Sequence, residues 1–289
     1  MGYLFVIIAS VLFGTVPSVE EYVLRQGTSP LGLVVICASS AAVVSLAAGV
    51  IRKESFRVSG KTLLSLVLAG GVGFFLTGLL LGYAYSNIPV GLATMIHFLY
   101  PTVVSAAMML FFGERFRVLK IAAIVLSLCG LFLLFGGNFS SRRMGMLAAL
   151  ASSFCYAFYI VSNDRPAVTA APLMVRTFYI NISSAAAALI VNLFTRSVVI
   201  PFTAATLVPG AVAGVMLSAG LMLLAAGISR LGASKAAFLN MLEPITSMIV
   251  SSIAAGMLPG WLTLAGSLLI VASLVVYAMC DRKTQCASN

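Results

Sequence analysis

Apolar residues in this chain run in long unbroken blocks, not in alternation. Ten blocks stand out, at about residues 2–24, 30–51, 62–86, 90–112, 118–137, 145–163, 172–194, 207–229, 233–257 and 261–279. Each is close to the ~20 residues that a helix needs to cross the hydrocarbon core of a bilayer. None shows the period-2 alternation of a membrane barrel, so the blocks predict transmembrane helices. The joints are short and carry Gly, Pro, Asn or charge, which leaves no room for a soluble domain. The first block lacks a basic leader and passes into Glu20 and Glu21, so it reads as a span and not as a cleavable signal.

The pattern repeats. Ile88–Pro101, IPVGLATMIHFLYP, aligns 143 residues on with Leu231–Pro244, LGASKAAFLNMLEP. Ala93 falls on Ala236, Leu99 on Leu242 and Pro101 on Pro244, while His97 meets Asn240 and Tyr100 meets Glu243. Ser10 and Ser152 correspond at an offset of 142, and Gly71 and Gly214 at 143. Residues 1–138 and 144–281 then hold five spans each, joined by an outside linker at 139–143 and followed by a cytoplasmic tail at 282–289. An odd number of spans starts the second copy from the opposite side. The expected fold is therefore an all-α polytopic membrane protein of ten transmembrane helices, two inverted five-helix repeats (5+5). Carriers built this way place their site near the midplane, between the repeats.

Polar residues inside the spans fall on narrow stripes, since positions three, four and seven apart share a helix face. These are Ser10, Gly14, Pro17 and Glu21; Thr94, His97, Pro101 and Ser105; Ser152, Tyr156, Tyr159 and Asn163; and Asn240, Glu243, Ser247 and Ser251. Serine and threonine on such stripes also serve close helix packing or bond their own backbone. His97 and Glu243 point beyond packing. A charged group at mid-membrane costs at least ~2.5–3.5 kcal/mol on insertion scales and faces a cavity or a partner. Proline removes a backbone donor, so Pro17, Pro101 and Pro244 are expected kinks, with the carbonyls of His97 and Asn240 freed. Candidate solute-binding residues are thus Gly14, Thr94, His97, Tyr100, Tyr156, Tyr159, Asn240, Glu243 and Ser247. Candidate proton carriers are Glu243, His97 and Glu21, the last preferred over Glu20 because it continues the stripe. Tyr83 and Tyr85 are expected in an interfacial aromatic belt, Arg176 and Lys235 are expected to snorkel, and Gly78/Gly82 and Gly210/Gly214 to make close helix contacts.

Composition sharpens this. Hydrophobic residues make up 61% of the 289 and charged ones only 8%, too few to cover a water-soluble surface. The net charge of +10 is accounted for by basic joints that orient the chain, with no nucleic-acid partner. With the N-terminus inside, inner joints hold twelve Lys and Arg and outer joints four, so both termini are expected in the cytoplasm. The five cysteines lack metal-ligand spacing, so neither a metal nor a disulfide framework is expected. No GxxxxGK[ST] occurs, which excludes direct ATP-driven transport, and no cofactor is implied.

The chain resembles the EamA-like ten-helix branch of the drug/metabolite transporter superfamily. The resemblance is carried by SVLFGT (Ser10–Thr15), GYAYSNIPVGLATMIHFLYP (Gly82–Pro101), FGERFRVLKIAAIVLSLCGLFLL (Phe112–Leu134) and LGASKAAFLNMLEPITSMIVSSI (Leu231–Ile253). Its most specific mark is Pro101 followed by Gly113 and Glu114; the second half departs from it, with Gly256 and Met257 after Pro244, and Glu114 is read as structural. The resemblance implies a cavity lined mainly by spans 1, 3, 4, 6, 8 and 9, and members that move amino acids, other metabolites or drugs, commonly outward.

The leading reading is a secondary transporter exporting an amino acid or related metabolite across a bacterial inner membrane by alternating access, with the bilayer, a small solute and candidate coupling protons as partners. The alternative is a proton-coupled drug or cation exporter. A channel or scaffold stands further off, and an intramembrane Ser–His enzyme, which would have to use His97, is the remote alternative. A monomer is sufficient for a complete repeat pair, and a homodimer through GxxxG faces is also compatible.

Overall fold

The structure is a computed structural model describing residues 1–88, 90–113, 118–134, 143–255 and most of 261–276. Most of the linker (139–142), Glu114, Cys280, Cys286 and the 282–289 tail lie outside the described residues, as does the side chain of Ser251.

The described residues form helices α1 (Gly2–Arg25), α2 (Pro30–Ile51), α3 (Gly60–Leu68), α4 (Phe75–Asn87), α5 (Val90–His97), α6 (Tyr100–Phe112) and α7 (Val118–Leu134), and then α8 (Arg143–Asn163), α9 (Pro166–Thr169), α10 (Leu173–Thr195), α11 (Ala204–Leu231), α12 (Ala233–Leu239) and α13 (Glu243–Ala255). A π-helical stretch, Ala69–Phe74, joins α3 to α4, and a 3-10 turn, Asn240–Leu242, joins α12 to α13. Among the described residues, six helices are long and apolar enough to cross a membrane: Gly2–Arg25, Pro30–Ile51, Gly60–Asn87, Arg143–Asn163, Leu173–Thr195 and Ala204–Leu231. Shorter apolar helices occupy Tyr100–Phe112, Ile121–Gly130 and Leu264–Ser273.

Local chemistry sets several ends. Ser29 and Ser59 cap α2 and α3, each accepting from the backbone N–H three residues on. Gly232 turns the chain between α11 and α12 at φ 82°, a left-handed conformation that other residues resist. Two of the three expected proline kinks coincide with helix breaks: α5 stops before Pro101 and α12 before Pro244. The carbonyl of Asn240 is not left free, however, because the N–H of Glu243 closes a 3-10 bond onto it. Helix α1 instead continues through Pro17.

Polarity is distributed inside out. Asn163, Asn181, Asn240 and Ser10 are fully buried, while Leu110, Phe111, Leu193 and Phe194 stand exposed around the outside. In water this arrangement would be unstable; against lipid it costs nothing and leaves the polar groups for the interior. The bundle is knit chiefly by α1 against α11, α2 against α10 and α11, α4 against α8, and α1 against α13. Both GxxxG pairs are used within the chain, as Gly78 and Gly82 approach Val34 and Pro30 while Gly210 and Gly214 approach Ile36, Cys37 and Ser40, all on α2.

Candidate functional site

The break between α12 and α13 turns Asn240 inward, where its amide is the hub of a buried network. Ser10 Oγ donates to its Oδ1 at 3.0 Å, and its Nδ2 donates to Tyr100 Oη at 3.0 Å and to Glu243 Oε2 at 3.0 Å. One amide thereby ties α1, α6 and α13 together and fixes the Glu243 carboxyl. Helix α1 can come this close because position 14 is glycine. A Cβ there would stand 2.7 Å from the carbonyl oxygen of Glu243 and 3.0 Å from the nitrogen of Ser247.

Beside this contact lies a cavity of about 100 Å³. A single water occupies only ~10–15 Å³, so the space suits a small organic molecule. Its ionisable lining is Glu20 of α1, His97 of α5 and Glu243 of α13. Neutral polar groups are Thr77 and Tyr85 of α4, Thr94 of α5, Tyr156 of α8 and Ser184 of α10. Phe13, Phe74, Leu217 and Leu221 supply apolar wall. Ser184 Oγ is buried and has no hydrogen-bond partner. Among the described lining residues there is no Lys or Arg.

His97 is oriented from behind. Its Nδ1 lies 2.9 Å from Ser152 Oγ, and that hydroxyl gives its one proton to the Ala149 carbonyl at 2.6 Å. Ser152 thus holds the imidazole by its Nδ1 edge. Tyr156 packs edge-on to Tyr100 (centroids 4.7 Å apart, planes at 88°) and stacks on Tyr159 (5.6 Å, 17°). Tyr159 in turn meets Phe74, so the rings form a rigid floor.

The sequence-predicted residues sort into three groups. His97, Thr94, Tyr156, Glu243 and Pro17 line the cavity. Tyr100, Tyr159 and Asn240 are buried around it as supports. Gly14 and Ser247 meet in the α1–α13 contact. Glu21 is placed apart, in an exposed-side ion pair with Arg25 at 2.6 Å, and it is the neighbouring Glu20 that reaches the cavity. The cause is the α1–α13 contact at Gly14, which occupies the Ser10–Gly14–Glu21 face and leaves the adjacent face open. Phe13, Val16, Pro17 and Glu20, spaced three, four and seven apart, are that face.

Two further expectations change. Tyr85 is buried against the cavity, whereas Tyr83 is exposed as a belt residue would be. Arg176 does not snorkel: it is buried, and its Nη2 donates to the Ala225 carbonyl at 3.1 Å and Ser229 Oγ at 3.0 Å, joining α10 to α11 at the end remote from Glu20. Tyr179 Oη adds a bond to the Phe56 carbonyl at 2.9 Å. Sequence reading also missed Phe74, Thr77 and Tyr85, although Phe74, Thr77, Leu81 and Tyr85 keep one helical face.

Comparison with known proteins bears on family and fold. The uncharacterized inner membrane transporter YicL of Salmonella typhimurium is 28% identical, over 98% of this chain and 96% of its own length. A crystal structure described only as that of a protein superposes with a TM-score of 0.81 over 98% of each chain at 20% identity, a likeness of fold alone. The EamA-like transporter family matches residues 1–136 and 143–279. With nearly all of it covered, this chain belongs to the EamA-like transporter family and is a membrane transporter, not an enzyme.

Proposed function

We propose that the protein is a secondary transporter of small organic solutes, working by alternating access in a bacterial inner membrane as ten helices in two inverted five-helix repeats. The observation that carries this reading is that polar groups from both halves meet on one cavity: Glu20, Thr94 and His97 from the first, Tyr156, Ser184 and Glu243 from the second.

The packing supports the repeat. Exchanging the halves turns the α1–α11 contact into α8–α4, turns α1–α13 into α8–α6, and returns α2–α10 to itself; all of these pairs are in contact. Two copies related by a twofold axis produce that pattern. The two stretches matched by the family description fall on the same division. The relative's description as an inner membrane transporter supports the location, and the excess of Lys and Arg in alternate joints supports cytoplasmic termini. In that orientation the cavity lies in the outer half of the bundle, and the α10–α11 bonds of Arg176 close the cytoplasmic half.

The Ser152–His97 pair does not favour the enzyme alternative. Ser152 is fully buried behind the imidazole and its proton is committed to the backbone, so it is not a nucleophile within reach of a substrate. Between an amino-acid exporter and a drug or cation exporter, both readings set an amine against Glu243; they part over what would meet a carboxylate.

The test is counterflow in proteoliposomes loaded with unlabelled solute and diluted into label, across a panel of amino acids and amines. Saturable uptake stimulated by internal solute supports a carrier, and Glu243→Gln should abolish it. Exchange by the Gln variant equal to wild type, with the same pH dependence, removes Glu243 from the mechanism.

A further inference from the structure

The acidic side chains lining the cavity come from both halves of the chain. Glu20 and Glu243 bring two carboxyl groups from α1 and α13 to one cavity. Glu243 is held in place by Asn240, and His97, held at its Nδ1 edge by Ser152, borders the same space. Four rings, Phe13, Phe74, Tyr85 and Tyr156, border the same space. Aromatic faces attract cations through their quadrupole, the more so when water is excluded. Among the described lining residues no Lys or Arg answers these groups: Arg25 of α1 is engaged by Glu21, and Arg176 is bonded to α11 at the other end. Half-buried carboxylates beside an aromatic wall and without a counter-charge are costly, and the missing charge is what a bound cation supplies.

Resting on the transporter reading, we propose that the solute is a small organic cation carrying an amine and no carboxylate, and that Glu20 is a binding residue for it, opposite Glu243. The amine lies between the two carboxyl groups and its apolar body lies on the aromatic wall. Ser184, whose buried hydroxyl has no protein partner, supplies a further polar contact. A free amino acid is refused because its carboxylate would be pressed against two acids with no guanidinium or ammonium to receive it. This also identifies which of the adjacent glutamates matters. Glu21, neutralised by Arg25 outside the cavity, has no part in recognition.

Equilibrium binding to the purified full-length protein tests this with matched pairs, tyramine against tyrosine and isoamylamine against leucine, which differ only by the carboxylate. The amines are expected to bind at least about tenfold more tightly than their amino acids, a difference of ~1.4 kcal/mol. Glu20→Gln and Glu243→Gln should each weaken amine binding about tenfold or more, while Glu20→Asp retains part of it and Glu21→Gln leaves it unchanged. Thermal unfolding of each variant separates loss of binding from loss of fold. Amino acids binding as well as the amines, neither amine binding at all, or Glu20→Gln binding like wild type in a folded protein would each overturn the proposal. Binding without counterflow would count against the carrier reading alone.

Discussion

Asn240 is the residue whose removal should spread furthest through the site. Replacing it with alanine deletes three side-chain hydrogen bonds at once, to Ser10, Tyr100 and Glu243, in a position with no exposure to solvent. Side-chain hydrogen bonds in membrane proteins are worth about 0.6 kcal/mol on average and ~1.7 kcal/mol at most. Three of them give a loss of about 2 kcal/mol with a ceiling near ~5 kcal/mol. The expected value lies toward the upper part of that range, since Tyr100 Oη would be left with its long 3.5 Å bond to the Ala237 carbonyl and Glu243 would lose the Asn240 donor. Denaturant unfolding in detergent micelles reads the change, and a double-mutant cycle with Tyr100→Phe isolates one bond, with an expected coupling of ~0.6–1.7 kcal/mol. Asn240→Ala within about 0.5 kcal/mol of wild type, with no coupling to Tyr100, would refute the hub.

Other perturbations follow the same geometry. Gly14→Ala drives a methyl into the backbone of α13 at Glu243 and Ser247, so it should cost ~1–3 kcal/mol and weaken solute binding by displacing Glu243, both measurable on the purified variant. Tyr156→Ala removes the ring between Tyr100 and Tyr159 and should lower stability by about 3–5 kcal/mol, whereas Tyr156→Phe keeps both ring contacts and should stay within ~1 kcal/mol by thermal unfolding. Arg176→Ala removes the two bonds joining α10 to α11 and should cost about 1–3 kcal/mol; thiol labelling near Ser229 should rise as that end of the bundle opens.

The long apolar runs made the helices legible, because burial in lipid leaves few other ways to satisfy a backbone. The prolines marked the two helix breaks, since each lacks the N–H that would continue the preceding turn. His97, Glu243 and Tyr156 were found as lining residues because ionisable and aromatic groups stand out against aliphatic spans. What the stripes could not tell is which face of α1 packs and which stays open. Both Glu20 and Glu21 lie on plausible faces, and the choice is made by a glycine contact with a helix more than two hundred residues away. Tyr85 and Arg176 were misplaced for a related reason: nearness to a span's end predicts the interface, but a cavity or a neighbouring helix end can reach the same level. Ser184 had no signal at all, as an isolated serine on an apolar helix reads as packing.

Alternation of access is the central claim, and the cavity carries its own reporter. Cys37 of α2 lines it and is almost fully buried. With the other cysteines replaced, a membrane-impermeant maleimide can be offered from either side of sealed vesicles of known orientation. Cys37 is expected to react from both sides, with saturating amine raising the rate from one side while lowering it from the other. Labelling from one side only, at a rate solute does not change, would contradict it.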